Sequence, residues 1–279
     1  MEGKICVVTG ANSGIGKETC IGLARMGAHV VMVCRNPDKG ERARADIVKE
    51  ATGPVDLVLG DLGSIVSVRT LARELTRSYP TIDVLVSNAG VFRLRRKLTA
   101  DGVEEMFAVN YLAPFLLVNL MLDTLKRSAP SRIVVVASAA HLVVKRFDFD
   151  NLQGERRWGV GWQAYGRSKL CNIMFTYALA RRLDGTGVTA NCLHPGAVAT
   201  NLGSGNHLPN RIVLKAAQLF ILSPAQGAET PIYLASSDEV EGTSGLYFDK
   251  KRPVPSSKIS YDEDAQERLW SISAKLTGL

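Results

Sequence analysis

Two side chains four residues apart, Tyr165 and Lys169, could together move a proton. The spacing places the phenol and the ammonium on one face of a helix that the sequence predicts over residues 162–184. An ammonium about 5 Å from a phenolate stabilises it by ~3 kcal/mol at an effective dielectric constant of ~20. A tyrosine whose pKa is lowered in this way can act as a general acid or base near neutral pH. A half-buried tyrosine beside an extended lysine is the structural alternative.

Further polar residues follow the predicted strands. Ser138 ends the fifth predicted strand, Asn88-Ala89-Gly90 follows the fourth, and Asn110 lies in the helical segment after that. Because ligands bind at the carboxyl ends of strands in an open α/β sheet, we expect Ser138 and Asn88 to lie at one edge. A serine hydroxyl there can donate to a carbonyl oxygen as negative charge develops on it.

A glycine-rich turn connects the first predicted strand to the first predicted helix. Gly10, Gly14 and Gly16 follow the spacing Gly-x-x-x-Gly-x-Gly, which allows a tight turn and a close approach of a pyrophosphate to the backbone. The N–H groups at the start of the helix would bind the phosphates. A P-loop is excluded because Ala11 takes a required glycine position and Glu18 replaces the metal-binding hydroxyl. The predicted phosphate-binding residues are Gly10, Asn12, Ser13, Gly14, Ile15 and Gly16.

Arg35, at the end of the second predicted strand, indicates which dinucleotide binds. A carboxylate there would accept from the adenosine ribose hydroxyls of NAD, whereas an arginine can bind a 2′-phosphate. No Asp or Glu occurs from His29 to Asn36, so the sequence favours NADP(H), with a merely exposed arginine as the alternative. Asp61 and Leu62 follow the third strand, where the carboxylate could accept from the adenine amino group or cap the next helix.

Short strands and helical segments alternate along the chain. Each strand is an almost continuous run of Val, Ile, Leu, Ala and Cys, which is typical of strands buried on both faces of a parallel sheet. We therefore predict an α/β fold, one domain over residues 1–279 with a Rossmann-type doubly wound parallel sheet of about seven strands in the order 3-2-1-4-5-6-7. Six strands are predicted at Lys4–Thr9, His29–Cys34, Val55–Leu59, Ile82–Ser87, Arg132–Ser138 and Val188–His194, and helices near 14–26, 37–50, 64–79, 101–127 and 162–184.

The stretch after the sixth predicted strand completes the site. Pro195-Gly196 would bring backbone to the nicotinamide carboxamide, with Val198 and Thr200 close by, and an ordinary turn is the alternative. Residues 197–222 are the least regular part of the chain, so we predict a substrate lid there. We interpret His141, three residues after Ser138, as a structural histidine rather than part of the pocket wall.

Composition and charge limit the classes of function. The chain is 46% hydrophobic and 22% charged, no apolar run reaches the roughly 18 residues of a spanning helix, and we expect no signal peptide. The formal net charge is +7, with the densest cluster at Arg93, Arg95, Arg96 and Lys97. Without stacking aromatics or a groove-reading motif we interpret this as a solvated loop and expect no nucleic-acid partner.

Five cysteines and four histidines lack metal-ligand spacing, which predicts no metal site and a reducing compartment.

Together these motifs resemble the short-chain dehydrogenase/reductase family over nearly the whole chain. The resemblance rests on the glycine turn, Asn88-Ala89-Gly90, Asn110, Ser138, Tyr165, Lys169, and Pro195-Gly196 with Thr200. The retinol dehydrogenase-like branch is most similar at Val33 to Asn36, Asp101-Gly102, Ser138 to His141, Tyr165 to Leu183, Leu193 to Gly196 and Gly242 to Gly245. Two features depart from that branch: the expected absence of an N-terminal anchor and the basic loop 91–97.

The resemblance implies an NADP(H)-dependent oxidoreductase that moves a hydride between nicotinamide and an alcohol/carbonyl pair, on a retinoid-like or other aldehyde or ketone substrate. Tyr165 would exchange the proton, Ser138 would bind the carbonyl oxygen, and Lys169 would also hold nicotinamide-ribose hydroxyls. Asn110 would hold a water that links Lys169 to solvent. A non-catalytic NADP(H)-binding regulator on this fold would be expected to lack one of the catalytic side chains. The expected location is cytoplasmic or peripheral on a membrane, and a homodimer is left open.

Overall fold

The computed structural model describes residues 1–156, 158, 161–196 and 222–279. Its strands are β1 Ile5–Thr9, β2 His29–Cys34, β3 Val55–Leu59, β4 Val84–Ser87, β5 Ser131–Val136, β6 Val188–His194, β7 Tyr247–Asp249 and β8 Arg252–Pro253. They form one sheet in the order β3-β2-β1-β4-β5-β6-β7-β8. The predicted order of the first seven strands is confirmed, and those seven are parallel.

The eighth strand was not predicted. β8 pairs antiparallel with β7, with Phe248 opposite Pro253 and Asp249 opposite Arg252. The two-residue turn between them places Lys250 and Lys251 at φ 46° and 65°, the left-handed region that a tight hairpin requires. Two lysines carry none of the Asn-Gly or Gly-Gly signal by which such a turn is normally recognised, so the sequence pattern did not indicate it.

The strand order reverses at β1, and this reversal creates the crevice for a ligand. The chain passes from β1 outward to β2 and β3, and then returns to β4 on the other side of β1. Connections that leave in opposite directions at the carboxyl ends of β1 and β4 leave space between them, which is where doubly wound sheets bind nucleotides.

Helices cover both faces of the sheet. They are α1 Gly14–Arg25, α2 Pro37–Val48, α3 Ile65–Ser78, α4 Glu105–Arg127, α5 Trp162–Arg182, α6 Pro224–Ser236 and α7 Glu263–Thr277. Consecutive residues of β1 belong to separate cores: Val7 packs with residues of α3, α4 and α5, and Val8 packs with residues of α1, α2 and α6. Apolar residues are therefore needed at successive positions of the strand, as the sequence pattern indicated.

α4 is long and apolar enough to span a membrane by length and composition, although it contains no uninterrupted apolar run of that length. It has 23 residues and a mean hydropathy of 1.5, and 83% of its most apolar window is buried within the protein. Contact with the protein on most sides is what a core helix shows. Within α4, Ala108–Leu112 form a π-helical turn, a distortion that often marks functional sites, and Asn110 lies in it.

Candidate active site

The glycine turn between β1 and α1 leaves no room for a side chain. Gly10 and Gly14 have φ values of 68° and 56°, which favour glycine. A Cβ atom on Gly16 would lie 2.4 Å from the Gly10 carbonyl oxygen and 2.4 Å from the Asn88 amide nitrogen. The Ser13 side chain makes no capping hydrogen bond to α1, so the first N–H groups of this helix are suited to bind an anion.

A cavity of about 1090 Å³ extends from this turn along the carboxyl edge of the sheet. It brings together most of the predicted site residues. Those that line it are Gly10, Asn12, Ser13, Gly14, Ile15, Gly16, Asn88, Ala89, Gly90, Ser138, Tyr165, Lys169, Pro195 and Gly196. One continuous space therefore joins the predicted phosphate-binding turn to the predicted catalytic side chains, as a bound dinucleotide requires.

Three cations that the sequence analysis did not single out also line the cavity: Lys17 on α1, and Lys39 and Arg42 on α2. The Asn36 side chain caps α2 by accepting a hydrogen bond from the Lys39 N–H at 2.9 Å. The Lys17 ammonium lies 2.7 Å from an Asp46 carboxylate oxygen. The i, i+3 spacing of Lys39 and Arg42 after Pro37 would have indicated that the two share one helix face.

Arg35, Asp61 and Leu62 lie outside the set of described residues that line the cavity. The Arg35 guanidinium instead lies 3.7 Å from an Asp61 carboxylate oxygen, and both side chains are exposed. The same Asp61 oxygen accepts a hydrogen bond from the Gly63 N–H at 2.9 Å. The two side chains predicted to bind adenosine therefore contact each other, and their roles stay predictions.

Ser138 and Tyr165 meet at the sheet end of the cavity. Ser138 follows β5, and its hydroxyl oxygen accepts from the Ala140 N–H at 3.1 Å, which leaves the hydroxyl proton free to be donated. Burial raises the pKa of Tyr165 to about 12, although a hydrogen bond from Ser138 opposes the rise. The phenol is therefore protonated at neutral pH and within hydrogen-bonding reach of Ser138.

Lys169 lies one turn further along α5, with its side chain buried. The ammonium donates to the Val136 carbonyl oxygen at 2.7 Å and lies 5.7 Å from the centre of the Tyr165 ring. Burial lowers the pKa of Lys169 to about 8. The predicted i, i+4 arrangement of Tyr165 and Lys169 is present. Loss of water is the largest influence on the pKa of each group. The pKa of Tyr165 is therefore raised, whereas the spacing alone suggested that the nearby ammonium would lower it.

Asn88 and Asn110 stabilise the backbone around the cavity. The Asn88 amide donates to the Thr9 carbonyl oxygen at 2.8 Å, which ties β4 to β1 beside the glycine turn. The Asn110 side chain accepts from the Val91 N–H and donates to the Val91 carbonyl and to the Ser168 hydroxyl. Both amide hydrogens of Asn110 are thereby used within the protein, and Asn110 is not among the described residues that line the cavity.

An aromatic wall adjoins Tyr165. The Phe92 ring lies 4.8 Å from the Trp162 ring and 5.7 Å from the Tyr165 ring, measured between centroids. Trp162 and Val143 both line the cavity. Trp162 is 58% exposed and Val143 is 47% exposed. The wall gives the cavity an apolar surface beside Tyr165.

The basic loop is exposed at Arg95, Arg96 and Lys97, as the sequence suggested, but it is also fastened to the protein by ion pairs and hydrogen bonds. The Arg93 guanidinium forms a two-pronged ion pair with the buried Glu105 carboxylate, at 2.6 and 3.0 Å. The Lys97 ammonium lies 3.6 Å from the same carboxylate, and Arg96 donates to the Gln153 carbonyl. These cations therefore fasten the loop that carries Phe92, a structural role that their exposure alone would not reveal.

The turn after β6 is described as far as Gly196. The His194 ring accepts from the Gly196 N–H at 3.1 Å and lies 3.2 Å from an Asp249 carboxylate oxygen, which holds Pro195-Gly196 against the cavity. Val198, Thr200 and all but the last residue of the predicted 197–222 lid lie outside the described residues. Among the residues that the structure does describe, no cluster of His, Cys, Asp and Glu could hold a metal ion.

A doubly wound parallel sheet with a glycine turn at its switch point, and a serine, tyrosine and lysine at the same edge, defines a Rossmann-fold oxidoreductase. Comparison with known proteins identifies the family. A family model for short chain dehydrogenases matches residues 4–149, and the chain belongs to that family, as the motifs predicted.

Named relatives extend the similarity over the whole chain. Retinol dehydrogenase 14 of Homo sapiens is 43% identical, with 100% of this chain and 88% of the relative covered. Retinol dehydrogenase 13 of Mus musculus is 42% identical, with 100% of this chain and 85% of the relative covered. A crystal structure of an uncharacterized protein from Mycobacterium paratuberculosis is 32% identical with a TM-score of 0.81, covering 99% of this chain and 94% of its own. The chain is thus a retinol dehydrogenase-like member of an oxidoreductase family.

Proposed function

We propose that this protein is an NADP(H)-dependent oxidoreductase that reduces an apolar aldehyde or ketone, or oxidises the corresponding alcohol. One observation carries the proposal: a single cavity joins the glycine turn to the Ser138, Tyr165 and Lys169 side chains. The glycine turn fits a dinucleotide, because a Cβ atom on Gly16 would collide with backbone and the start of α1 offers uncapped N–H groups. A non-catalytic binder would have no need for the three polar side chains at the far end.

The chemistry follows from the protonation states of the site. When bound, the reduced nicotinamide supplies the hydride to the carbonyl carbon. Tyr165 gives its proton to the carbonyl oxygen, and the Ser138 hydroxyl donates to the same oxygen as it gains charge. The raised pKa of Tyr165 keeps the phenol protonated at neutral pH and suits it to donate. In alcohol oxidation the phenolate is needed, and the Lys169 ammonium favours it.

The preference for NADP(H) over NAD(H) is supported by charge. Lys39 and Arg42 add two cations to the cavity wall on α2, and Arg35 lies at the end of β2 without a carboxylate in that strand. Guanidinium and ammonium groups favour the phosphomonoester that distinguishes NADP from NAD. A structural relative from Beutenbergia cavernae, assigned as an NAD(P)-dependent gluconate 5-dehydrogenase, carries NADP; it is 28% identical with a TM-score of 0.72, over 89% of this chain and 95% of its own.

The substrate class is proposed from the aromatic wall. Phe92 and Trp162 stand beside the Tyr165 ring, and the exposed part of Trp162 faces the cavity. Apolar contact of this kind favours a long hydrocarbon or a ring system over a sugar-like molecule. The names of the relatives, retinol dehydrogenases 13 and 14, agree with a retinoid-like substrate. Five free, buried cysteines support the proposal that the protein works in a reducing compartment.

The proposal is tested by steady-state assays of retinal, a steroid ketone and a medium-chain aldehyde, each with NADPH and with NADH. We expect turnover with at least one substrate and a higher kcat/KM with NADPH. Tyr165→Phe is the matched control, since it preserves the ring but not the transferable proton. An absence of turnover with every pair while NADPH still binds would favour a non-catalytic binder, and equal kcat/KM with the two cofactors would contradict the NADP(H) assignment.

A further inference from the structure

His141 is buried in the turn that follows the catalytic serine, and both of its ring nitrogens are used. The side chain is 1% exposed. Nδ1 lies 2.7 Å from the Ser138 carbonyl oxygen, and Nε2 lies 3.2 Å from the Ser257 backbone nitrogen, which donates to it. A neutral histidine with its proton on Nδ1 satisfies both contacts, one as donor and one as acceptor. Burial lowers the pKa of His141, in agreement with a neutral ring.

The segment that contains Ser257 is itself anchored to two helices. The Ser256 hydroxyl lies 2.7 Å from the Tyr177 hydroxyl of α5 and 2.6 Å from the Ser260 hydroxyl. The Gln266 amide of α7 donates to the Ser260 carbonyl at 2.7 Å. The backbone N–H that reaches His141 is therefore fixed by the C-terminal part of the fold.

The turn over Ala139–Val143 is also held in place by packing against its neighbours. It packs directly on α5, where a Cβ atom on Gly166 would come within 2.5 Å of the Ala140 carbonyl oxygen. The His141 ring also packs edge-on against Tyr247, with centroids 5.1 Å apart. The carbonyl oxygen of Ser138 accepts two hydrogen bonds, from the His141 backbone N–H at 3.1 Å and from the His141 Nδ1–H at 2.7 Å. The shorter of the two depends on the side chain, which therefore fixes the orientation of this peptide group.

We propose that His141 is a positioning residue. It links Ser138 to the anchored C-terminal segment 256–261 through its two ring nitrogens, and so fixes the direction in which the Ser138 hydroxyl donates. The proposal rests on the catalytic roles given above to Ser138 and Tyr165. A rotation of the Ser138 peptide would move the hydroxyl away from the reacting oxygen, and small misplacements of a catalytic group reduce rate strongly. Ser257, more than a hundred residues away in sequence, becomes part of the active-site support through its backbone alone.

The backbone contact can be broken by a substitution at Ser257 itself, without touching His141 or Ser138. Ser257 has φ −65° and ψ 146°, a conformation that proline adopts without strain, and its hydroxyl has no hydrogen-bond partner among the described residues. Ser257→Pro removes the N–H that His141 accepts and places the proline Cδ where the hydrogen was, so the His141 ring must move away from this contact, whereas Ser257→Ala removes only the hydroxyl and keeps the N–H. Loss of one buried hydrogen bond predicts a roughly five- to tenfold lower kcat for the proline variant relative to the alanine variant.

Two measurements separate positioning from a merely structural role. The Kd for NADPH should agree within about twofold between the two Ser257 variants, while the pH at which alcohol oxidation reaches half its plateau should rise in Ser257→Pro, because the Ser138 hydrogen bond lowers the pKa of Tyr165. His141→Asn, whose amide can still donate to the Ser138 carbonyl but is too short to accept from the Ser257 N–H, should lose less kcat than His141→Phe and about as much as Ser257→Pro. Equal kcat in the two Ser257 variants, or equal loss in the two His141 variants, would overturn the proposal.

Amide hydrogen exchange on the cofactor-free protein provides a readout independent of turnover. The Ala140 N–H, bonded to the Ser138 hydroxyl, should exchange at least fivefold faster in Ser257→Pro than in Ser257→Ala. If the parent enzyme turns over no substrate, the proposed function fails while this exchange measurement still decides the role of His141. If the parent is active and Ala140 exchanges equally in both variants, the positioning role is wrong and the proposed function stands.

Discussion

Lys169→Met should make the protein more stable as it abolishes activity. Burial lowers the pKa of Lys169 from its ordinary value of 10.5 to about 8, which corresponds to about 3 kcal/mol against the folded state whenever the side chain is protonated. Methionine fills a similar volume without a charge. It also leaves the Val136 carbonyl without the lysine hydrogen bond, a loss of about 1–2 kcal/mol. We therefore expect a net gain of about 1–2 kcal/mol at pH 7, or roughly 2–6 °C in Tm.

The pH dependence of this gain gives a stricter test than its size. Between pH 8 and 10.5 the unfolded lysine retains its proton and the folded one loses it, so the parent becomes more stable relative to Lys169→Met as the pH rises. The advantage of Lys169→Met should shrink above pH 8 and reverse near pH 10, where only the lost hydrogen bond remains. The titration of thiols and phenols does not affect the difference in free energy of unfolding between parent and variant, because both proteins contain the same thiols and phenols.

The assay is denaturant unfolding of the cofactor-free parent and variant at pH 7 and pH 10, with turnover measured in parallel. Lys126→Met, at an exposed lysine, is the control and should change stability by less than about 0.5 kcal/mol at either pH. A Lys169→Met protein that is less stable than the parent at pH 7, or whose difference from the parent does not change with pH, would refute the claim that Lys169 is held as a desolvated cation.

Three further outcomes are expected. Tyr165→Phe should lower turnover by at least a hundredfold and leave the Kd for NADPH within about threefold of the parent, as fluorescence titration would show; turnover near the parent's would mean that another group is the acid. Arg35→Asp should weaken NADPH binding by about tenfold or more and spare NADH, with Asp61 then repelling the new carboxylate; an equal effect on both cofactors in calorimetry would remove Arg35 from cofactor selection. The segment Pro209–Leu222, which lies almost wholly outside the described residues, is predicted to be a flap that gains protection from hydrogen exchange when NADPH and a substrate analogue bind, and high protection in both states would reject it.

The sequence alone determined the fold class, the order of the first seven strands and many of the residues that line the cavity. Buried parallel strands need apolar residues at every position, so they stand out from their surroundings. The glycine turn and Ser138 could be placed because strand ends in such a sheet share an edge, and Tyr165 and Lys169 because their i, i+4 spacing puts them on one face of a helix. Each of these signals is local, and the general topology of doubly wound sheets converts local signals into a shared site.

The starts of some elements depended on contacts that the local pattern does not contain. The segment near 101–127 was predicted as one helix, but α4 begins at Glu105 because the buried Glu104 carboxylate accepts from the Met106 and Phe107 N–H groups. Glutamate is not among the usual capping residues. β8 likewise follows a turn with two lysines in the left-handed region, a choice that pairing with β7 imposes.

Only the tertiary structure decided the electrostatics of the site and the supports behind it. The Tyr165–Lys169 spacing predicts attraction between a phenolate and an ammonium, but it says nothing of how much water each side chain loses. Burial raises the pKa of Tyr165 and lowers that of Lys169, because desolvation depends on every neighbour that surrounds a group and not on its own helix. For the same reason the contact from Ser257 to His141 could not be read from the sequence: it joins residues 116 positions apart through a backbone N–H, which every residue type except proline possesses.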